Sequence, residues 1–182
     1  MAARMGVRDK MKILAICGSP RKGNTEFMLN IMLKDRNDSE IVLLRELKIK
    51  NCIGDDSCMK TKECHIKDDD ANEIYKKMEE ADTIILASPS YFSNVTGIMK
   101  NFMDRGNPYW LNEKLKGKKA FLLGVGGQEG TEGNNVIECM KFFARGLHME
   151  ITGEYFTTAE KPKDLENNEK VIKELQKIGE KL

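Results

Sequence analysis

Residues 18 to 25, here called the phosphate loop, have the residue types and spacing that best suit the binding of an anion. Its sequence, Gly-Ser-Pro-Arg-Lys-Gly-Asn-Thr, matches the pattern G-x-x-x-x-G-K-[ST] except that Asn24 stands in the lysine position. In nucleoside-triphosphate sites that lysine spans the outer two phosphates, while the Ser or Thr holds magnesium. Without the lysine, backbone N–H groups and the side chains of Ser19, Asn24 and Thr25 suit a single phosphate monoester. The pattern therefore disfavours phosphoryl transfer.

Two cations lie inside the phosphate loop, but neither replaces the missing lysine directly. Lys22 comes two positions too early, and Arg21 precedes it. A structural alternative also stays open, because clusters of Gly, Pro and Asn are common turns and this one would only turn the chain and cap a helix.

Three cysteines between residues 51 and 70 form a second group of reactive side chains. Cys52, Cys58 and Cys64 follow the spacing C-x5-C-x5-C, which lacks the close C-x2-C pair typical of zinc sites. The chain has five cysteines, an odd number, and it is long enough to fold around an apolar core, so we expect free thiols or a metal site and not a disulfide framework. Cys17 and Cys139 fall in strand and helix patterns and are predicted to be small core residues.

Other types of chemistry have little support in the sequence. The two histidines, His65 and His148, are not arranged with a nucleophile and an acid as hydrolases require. Asp104 and Arg105 are predicted to form a surface or helix-end ion pair. We therefore expect no catalytic side chain.

Charge and hydropathy indicate small-molecule partners. The formal net charge is +1, with no basic stripe for nucleic acid. The longest apolar runs, such as residues 120–125, are far shorter than the ~20 residues that a membrane helix needs, and no signal peptide is visible. We expect a cytoplasmic protein that binds neither nucleic acid nor membrane.

Apolar runs and helical patterns alternate along the chain. Strands are predicted over residues 12–17, 40–49, 82–89, 118–127 and 150–158, and helices over residues 25–34, 70–81, 96–105, 132–149 and 164–182. This alternation predicts one α/β domain over residues 11–182, a five-stranded parallel sheet with helices on both faces and a Cys-rich insertion at about 51–70. Residues 1–10 are predicted to be a disordered leader or an artificial extension. Since such sheets bind ligands at the carboxyl ends of their strands, the phosphate loop is well placed.

Four segments resemble the flavodoxin-like NADPH-dependent FMN reductases, in particular their iron–sulfur flavoprotein branch. They occur in the family's order over nearly all of the chain from Lys12 onward: KILAICGSPRKGNTE, CIGDDSC with a further Cys, ASPSYFSNVTGIMKNFMDR and GVGGQEG. The resemblance implies a flavodoxin-like, doubly wound sheet with strand order 2-1-3-4-5.

The resemblance also implies an FMN site, in which the cofactor carries the chemistry. The FMN phosphate would be bound by residues of the phosphate loop: Ser19, Arg21, Lys22, Gly23, Asn24 and Thr25. The isoalloxazine would be lined by residues that follow the third strand: Pro89, Ser90, Tyr91, Phe92, Ser93 and Asn94. Its other rim would be closed by residues at the carboxyl end of the fourth strand: Gly126, Gly127 and Gln128. A structural alternative for Tyr91 and Phe92 is that they end a buried strand and cap the core.

In the iron–sulfur flavoprotein branch, four cysteines hold a [4Fe–4S] cluster. The resemblance makes Cys52, Cys58 and Cys64 candidate metal ligands, but Asp55 stands where the second cysteine is expected. A carboxylate is a harder ligand than a thiolate and suits such a cluster less well. We expect a metal-free loop with spare thiols, and a [4Fe–4S] cluster or a zinc site that also uses Asp55 or His65 remains the alternative.

Two functions agree with the resemblance. One is an oxidoreductase that passes electrons from NADPH or NADH through FMN to a flavin, a quinone or another small acceptor. The alternative is a flavodoxin-like or iron–sulfur flavoprotein electron carrier with a protein partner such as a ferredoxin-like protein; the near-neutral charge favours the enzyme. A nucleotide-binding protein without redox chemistry is a third, weaker possibility. Family likeness also suggests a homodimer or homotetramer in which Tyr109, Trp110 or the Cys-rich segment covers a neighbour's flavin.

Overall fold

Strands and helices alternate throughout residues 12–127 and 131–182, the residues described by this computed structural model. The strands are β1 (Ile13–Cys17), β2 (Ser39–Leu43), β3 (Thr83–Pro89), β4 (Lys119–Gly126) and β5 (Glu150–Thr158). The helices are α1 (Asn24–Met32), α2 (Ser57–Thr61), α3 (Ala71–Glu80), α4 (Gly97–Asp104), α5 (Asn107–Asn112), α6 (Thr131–Gly146) and α7 (Glu169–Gly179). Short 3-10 helices span Leu44–Glu46 and Asp164–Asn167. The predicted leader at residues 1–10 and Gln128 lie outside the described residues.

The five described strands form one parallel sheet in the order β2-β1-β3-β4-β5, which confirms the prediction. Strand β1 lies between β2 and β3, with Ile13 opposite both Ser39 and Thr83. The chain therefore winds outward in one direction from β1 to β2 and in the other from β1 to β3. This reversal between β1 and β3 creates a crevice at the carboxyl ends of the strands, where sheets of this type bind ligands.

Each face of the sheet is covered by its own apolar core. Alternate residues of β1 point to opposite faces, so Leu14 joins one core and Ile13 the other. The first core contains residues of α3, α4 and α6, and it includes Tyr75, whose ring stacks on those of Phe102 and Tyr109 with centroids 4.8 and 4.5 Å away. The second core contains residues of α1 and α7. Helices thus pack on both faces, as predicted.

The prediction of a strand over residues 40–49 was wrong at its carboxyl end. Strand β2 ends at Leu43, which is opposite Cys17, the last residue of β1. Because β1 ends there, residues of β2 beyond Leu43 would have no residues of β1 to pair with. The chain instead turns into a 3-10 helix. Sequence analysis also missed the short helices α2 and α5, which lack the length for a clear periodic pattern. None of the described helices has both the length and the apolar character required to cross a bilayer.

Helix α7 fixes the carboxyl end of α1, the helix that follows the phosphate loop. The two helices pack against each other, and Gly179 of α7 lies against the backbone of Met32, the last residue of α1. A Cβ atom at Gly179 would lie 2.0 Å from the carbonyl oxygen of Met32. Glycine is therefore required here by the close approach of two backbones.

We expect Gly179→Ala to lower the free energy of unfolding by about 1–3 kcal/mol, because α7 must move away from α1. Urea denaturation would measure the change. Gly146→Ala is the matched control, since a Cβ atom there meets no atom within 4 Å, and it should leave the denaturation midpoint unchanged or raise it slightly. Equal effects of the two substitutions would contradict the packing role of Gly179.

Candidate functional site

A cavity of about 140 Å³ lies in the crevice at the carboxyl ends of the strands. Four segments line it, and each follows a different strand of the sheet. They are the phosphate loop after β1, residues 89–91 at the end of β3, residues 125–127 at the end of β4 and residues 159–162 after β5. Larger cavities of about 620 and 390 Å³ lie beside the Cys-rich segment. We treat the smaller cavity as the candidate site because it contains the predicted anion-binding residues.

Most of the predicted cofactor residues line this cavity. They are Ser19, Arg21, Gly23, Asn24, Thr25, Pro89, Ser90, Tyr91, Gly126 and Gly127. Four others lie outside its lining, namely Lys22, Phe92, Ser93 and Asn94. The predicted contact of Gln128 lies outside the described residues. Residues 159–162 were not predicted to line the site. Their position directly after the fifth strand could have indicated it, because the carboxyl ends of the strands form the crevice.

The start of the phosphate loop is fixed by hydrogen bonds to the neighbouring strand and helix. Gly18 donates its N–H to the carbonyl of Ala87 in β3 at 2.7 Å, and its own carbonyl accepts the hydroxyl of Thr96 at 2.5 Å. The Ser19 hydroxyl donates to the carbonyl of Arg21 at 2.6 Å. The loop conformation is therefore set by the protein itself.

Helix α1 begins at the cavity without a side-chain cap. Its N-cap residue is Gly23, and a Cβ atom at Gly23 would meet no atom within 4 Å. The first N–H groups of a helix have no partner within the helix, and the helix dipole makes them attractive to an anion. Glu26 in the first turn would oppose an anion, but it forms a 2.8 Å ion pair with Arg45. The start of α1 is thus suited to a phosphate.

Asn24 connects the phosphate loop to the segment that follows β5. Its side-chain N–H donates to the carbonyl of Lys161 at 2.8 Å, and its side-chain oxygen accepts the N–H of Leu165 at 3.5 Å. One donor hydrogen of the amide predicted to bind phosphate is therefore used within the protein. The residue in the lysine position of the phosphate-loop pattern holds a distant part of the chain in place.

A tight turn at residues 91–94 follows β3 at the edge of the cavity. Tyr91 and Asn94 exchange two backbone hydrogen bonds of 2.9 and 3.2 Å. Between them, Phe92 and Ser93 have φ angles of 51° and 57°, a left-handed conformation that costs non-glycine residues about 1–3 kcal/mol each. The Phe92 side chain is fully exposed, so the alternative that it caps the core was wrong. Strained turns of this kind cluster at ligand-binding sites.

Ser90 brings a buried hydroxyl without a partner to the cavity. Its backbone N–H donates to Val125 at 2.7 Å, which ties the end of β3 to β4, but its side-chain oxygen is buried and has no hydrogen-bond partner among the described residues. Because buried hydroxyls are nearly always hydrogen-bonded, this atom favours a bound ligand that completes the bond.

Arg105 lies at the carboxyl end of α4, as one of the two predicted alternatives has it, but it is buried beneath the Cys-rich segment and not at the surface. Its side chain is 1% exposed and pairs with Asp69, which is 0% exposed, at 2.5 Å. The guanidinium also donates to the carbonyls of Lys50 and Ile66 and to the sulfur of Cys64. Asp104 instead forms an exposed ion pair with Lys100, so the predicted pair between Asp104 and Arg105 is not formed. Arg105 therefore holds together both ends of the segment from residue 50 to residue 69.

The buried pair changes the pKa values of both partners. Burial alone would raise the pKa of Asp69, but hydrogen bonds from Arg105 and from the N–H groups of Lys50 and Ala71 outweigh it and lower the pKa. Burial alone would lower the pKa of Arg105, but its bonds to Asp69 and Cys64 outweigh it and raise the pKa. Both groups are therefore charged near neutral pH.

The cysteines of the segment do not converge on one site. Cys52, Cys58 and Asp55 line the cavity of about 390 Å³, whereas Cys64 lines the cavity of about 620 Å³ and accepts a 3.2 Å hydrogen bond from Arg105. The Asp55 carboxylate accepts bonds from the hydroxyl and N–H of Ser57 at 2.8 and 3.2 Å. No three His, Cys, Asp or Glu side chains among the described residues are placed to hold a metal ion. This donor set does not fit a four-cysteine cluster.

The two remaining cysteines lie elsewhere. Cys17 is buried in β1, and burial raises the pKa of its thiol to about 11, so it is a core residue as predicted. Cys139 in α6 is partly buried and packs against the first core.

The strand order and the crevice at the carboxyl ends of the strands define a flavodoxin-like fold. The chain belongs to the NADPH-dependent FMN reductase family, whose model matches residues 11–163.

Relatives and solved structures agree with this family. The chain is 46% identical over 99 residues to an iron-sulfur flavoprotein of Archaeoglobus fulgidus, a match that covers 52% of this chain and 48% of the relative. It is 32% identical over 187 aligned positions to an iron-sulfur flavoprotein of Methanocaldococcus jannaschii, which covers 94% and 95% of the two chains. The matched part thus spans about half of the first relative and nearly all of the second.

Among solved structures, the fold is similar to an NAD(P)H:quinone oxidoreductase from Methanothermobacter marburgensis, with a TM-score of 0.69, 16% identity and coverage of 93% and 95%. It is also similar to an FMN-dependent NADH-azoreductase from Bacillus anthracis in complex with FMN, with a TM-score of 0.67, 13% identity and coverage of 93% and 98%. At these identities the likeness shows the fold.

We expect Asp69→Asn to lower the free energy of unfolding by about 3–5 kcal/mol near pH 7, because it leaves the buried charge of Arg105 without its partner. Urea denaturation measures the loss. Asp104→Asn is the control, since removing an exposed ion pair should cost only about 0–1 kcal/mol. Similar losses in the two variants would contradict the role of the buried pair.

The difference in the free energy of unfolding between the wild-type protein and Asp69→Asn should also depend on pH. The pKa of Asp69 is lower in the folded protein than in the unfolded chain, so its stabilisation is complete above the unfolded value of about 3.9 and is lost as the pH falls through the folded value. The difference in stability between the wild-type protein and Asp69→Asn should therefore shrink below about pH 4. Denaturation midpoints measured from pH 7 downward check this, and a difference that grows in acid would contradict it.

Proposed function

We propose that the protein is an FMN-dependent oxidoreductase that takes electrons from NADPH or NADH and passes them to a small acceptor. The observation that carries this proposal is the crevice itself, where one cavity is lined by the uncapped start of α1 and by Ser90, whose buried hydroxyl has no partner among the described residues. FMN, when bound, supplies hydride acceptance from a nicotinamide and electron donation to the acceptor. The protein's contribution is to bind, orient and shield this group.

The phosphate end of the proposed site is formed by the phosphate loop. The N–H groups at the start of α1 and the buried Thr25 would bind the phosphate oxygens, and Arg21 at the rim would offset its charge. Gly23 leaves room for the close approach of the anion. The fit is to one phosphate, because the lysine that would span a second phosphate is absent from the loop.

The ring end of the proposed site lies between the ends of β3 and β4. Ser90 would use its buried hydroxyl to hydrogen-bond a polar edge of the ring, and Gly126 and Gly127 would approach the other rim through their backbone. Tyr91 is partly exposed at the same edge and would contact the ring face. The fully exposed Phe92 lies next to it and would shield the ring from water.

An electron carrier remains the second candidate, and exposed apolar side chains near the Cys-rich segment favour it. Ile53, Met59 and Trp110 are all substantially exposed, and Trp110 lines the cavity of about 390 Å³ with Cys52 and Cys58. Such side chains suit a protein contact, either with a redox partner such as a ferredoxin-like protein or with another copy in a homodimer or homotetramer. The suggestion that Tyr109 covers a neighbour's flavin was wrong, since its ring is buried against Tyr75.

The proposed location is the cytoplasm. All five cysteines are described and are free thiols, which supports a reducing compartment.

We expect the purified protein to bind FMN and to oxidise NADPH or NADH when a flavin or quinone is added. Flavin absorbance of the purified protein and steady-state oxidation of each nicotinamide measure the two activities. Bound FMN without nicotinamide oxidation would favour the electron carrier. Failure to bind FMN after removal of any copurified ligand would overturn both candidates.

Asn24→Lys tests the phosphate loop directly. It restores the triphosphate pattern, but it crowds the loop and removes the hydrogen bond from Asn24 to Lys161. We expect about fivefold to tenfold weaker FMN binding, which corresponds to the loss of about 1 kcal/mol for one hydrogen bond. Flavin fluorescence titration measures the affinity. Asn30→Lys adds the same charge to an exposed position of α1 and should have no effect, whereas tighter binding by Asn24→Lys would contradict the proposed loop geometry.

A further inference from the structure

The cation that is missing from the phosphate loop has a counterpart elsewhere in the chain. Residues 159–162 follow β5 and line the same cavity as Ser19, Arg21 and Thr25. This segment contains Lys161. Lys161 and Lys22, the lysine inside the loop, are both exposed, but only Lys161 lines the cavity. A distant lysine thus lies at the site, and the local one does not.

The backbone of Lys161 is fixed on both sides. Its carbonyl accepts the side-chain N–H of Asn24 at 2.8 Å, and its N–H donates to the carboxylate of Asp164 at 2.7 Å. The segment is anchored at its start, where Ala159 donates to Gly126 at 2.7 Å, and at its end, where Leu165 is buried. Asn24 and Lys161 are 137 positions apart in sequence, and the residue in the lysine position of the pattern donates directly to the backbone of another lysine.

The ammonium group of Lys161 is available to a ligand. It forms no ion pair with any carboxylate among the described residues. Glu160 lines the same cavity with the opposite charge, and Asp164 accepts the backbone N–H of Lys161. Arg21 and Lys161 therefore form a pair of cations around a site that also carries one carboxylate.

We propose that Lys161 supplies the cation that the phosphate loop lacks at Asn24, and that it makes the site select a flavin with a terminal phosphate over one without it. This inference rests on the proposed function, since it assumes that a flavin occupies the crevice. Lys161 is a specificity-determining residue in this proposal, and it takes no part in electron transfer.

The physical reason is the charge of the ligand. A phosphate monoester carries about −1.5 to −2 charges near pH 7, and a hydrogen bond from a charged donor to such a group is about twice as strong as a neutral one. An ammonium on a flexible stem reaches one oxygen as a point charge, whereas the backbone N–H groups of α1 bind the others. Riboflavin lacks the phosphate and gains nothing from either contact. Lys161 should therefore act on affinity for FMN alone.

The test compares FMN with riboflavin in two lysine variants. Lys161→Gln removes the charge of an exposed residue that lines the cavity, and Lys163→Gln makes the same charge change on an exposed residue two positions away that does not line it. The protein is stripped of bound flavin, and each ligand is titrated by the quenching of its fluorescence at low and moderate salt. Circular dichroism and urea denaturation verify that both variants are folded.

We expect Lys161→Gln to bind FMN about tenfold more weakly than the wild-type protein, to lose part of the salt dependence and to bind riboflavin unchanged. Lys161→Arg should retain most of the preference for FMN, and Lys163→Gln should behave as wild type. An unchanged ratio of FMN to riboflavin affinity in Lys161→Gln, whether neither affinity falls or both fall equally, would overturn the inference.

The failure of the inference is distinguishable from the failure of the proposed function. If the wild-type protein binds neither flavin, the FMN-dependent oxidoreductase itself is rejected. If the wild-type protein prefers FMN and Lys161→Gln shows the same preference, the oxidoreductase stands and Lys161 is not the cation.

Discussion

The start of helix α1 at the carboxyl edge of the sheet is the feature on which the site depends. Its first N–H groups follow a glycine N-cap and have no side-chain cap, and they lie where the strand order reverses between β1 and β3. A helix start of this kind attracts an anion only if the loop before it is held rigidly and nearby carboxylates are neutralised. Gly18 holds the loop by donating its N–H to Ala87 of β3 and by accepting the hydroxyl of Thr96, the N-cap of α4, and Arg45 neutralises Glu26.

The other three loops complete the crevice because parallel strands end at the same edge of a sheet. Ser90 after β3 contributes a buried hydroxyl without a described partner, β4 contributes glycines, and the segment after β5 contributes Lys161. Asn24 joins the first and last of these segments with one hydrogen bond. The residue in the lysine position of the triphosphate pattern therefore links the phosphate loop to the segment that follows β5.

Much of this architecture follows from the sequence, since parallel strands buried on both faces appear as apolar runs. The alternation of strands and helices and the position of the phosphate loop were predictable for that reason, and the strand order came from a resemblance. The residue at which β2 ends was not predictable, because it depends on the length of the neighbouring strand β1. Arg105 and Lys161 were also missed. Each is a single charged residue whose partner is far away in sequence, Asp69 for Arg105 and Asn24 for Lys161, and local patterns carry no signal of such pairs.

The Cys-rich segment differs from what the relatives' names suggest. They are iron-sulfur flavoproteins, whereas here Asp55 accepts hydrogen bonds from Ser57 and Arg105 donates one to Cys64, so the segment is organised by hydrogen bonds of this chain. The central claim concerns the other end of the crevice, and phosphorus NMR of the protein with bound FMN tests it most directly. A phosphate enclosed by the phosphate loop should stay dianionic, so its resonance should not shift across the pH range around 6, where a free monoester titrates. A bound flavin whose phosphate titrates like the free compound would contradict the account.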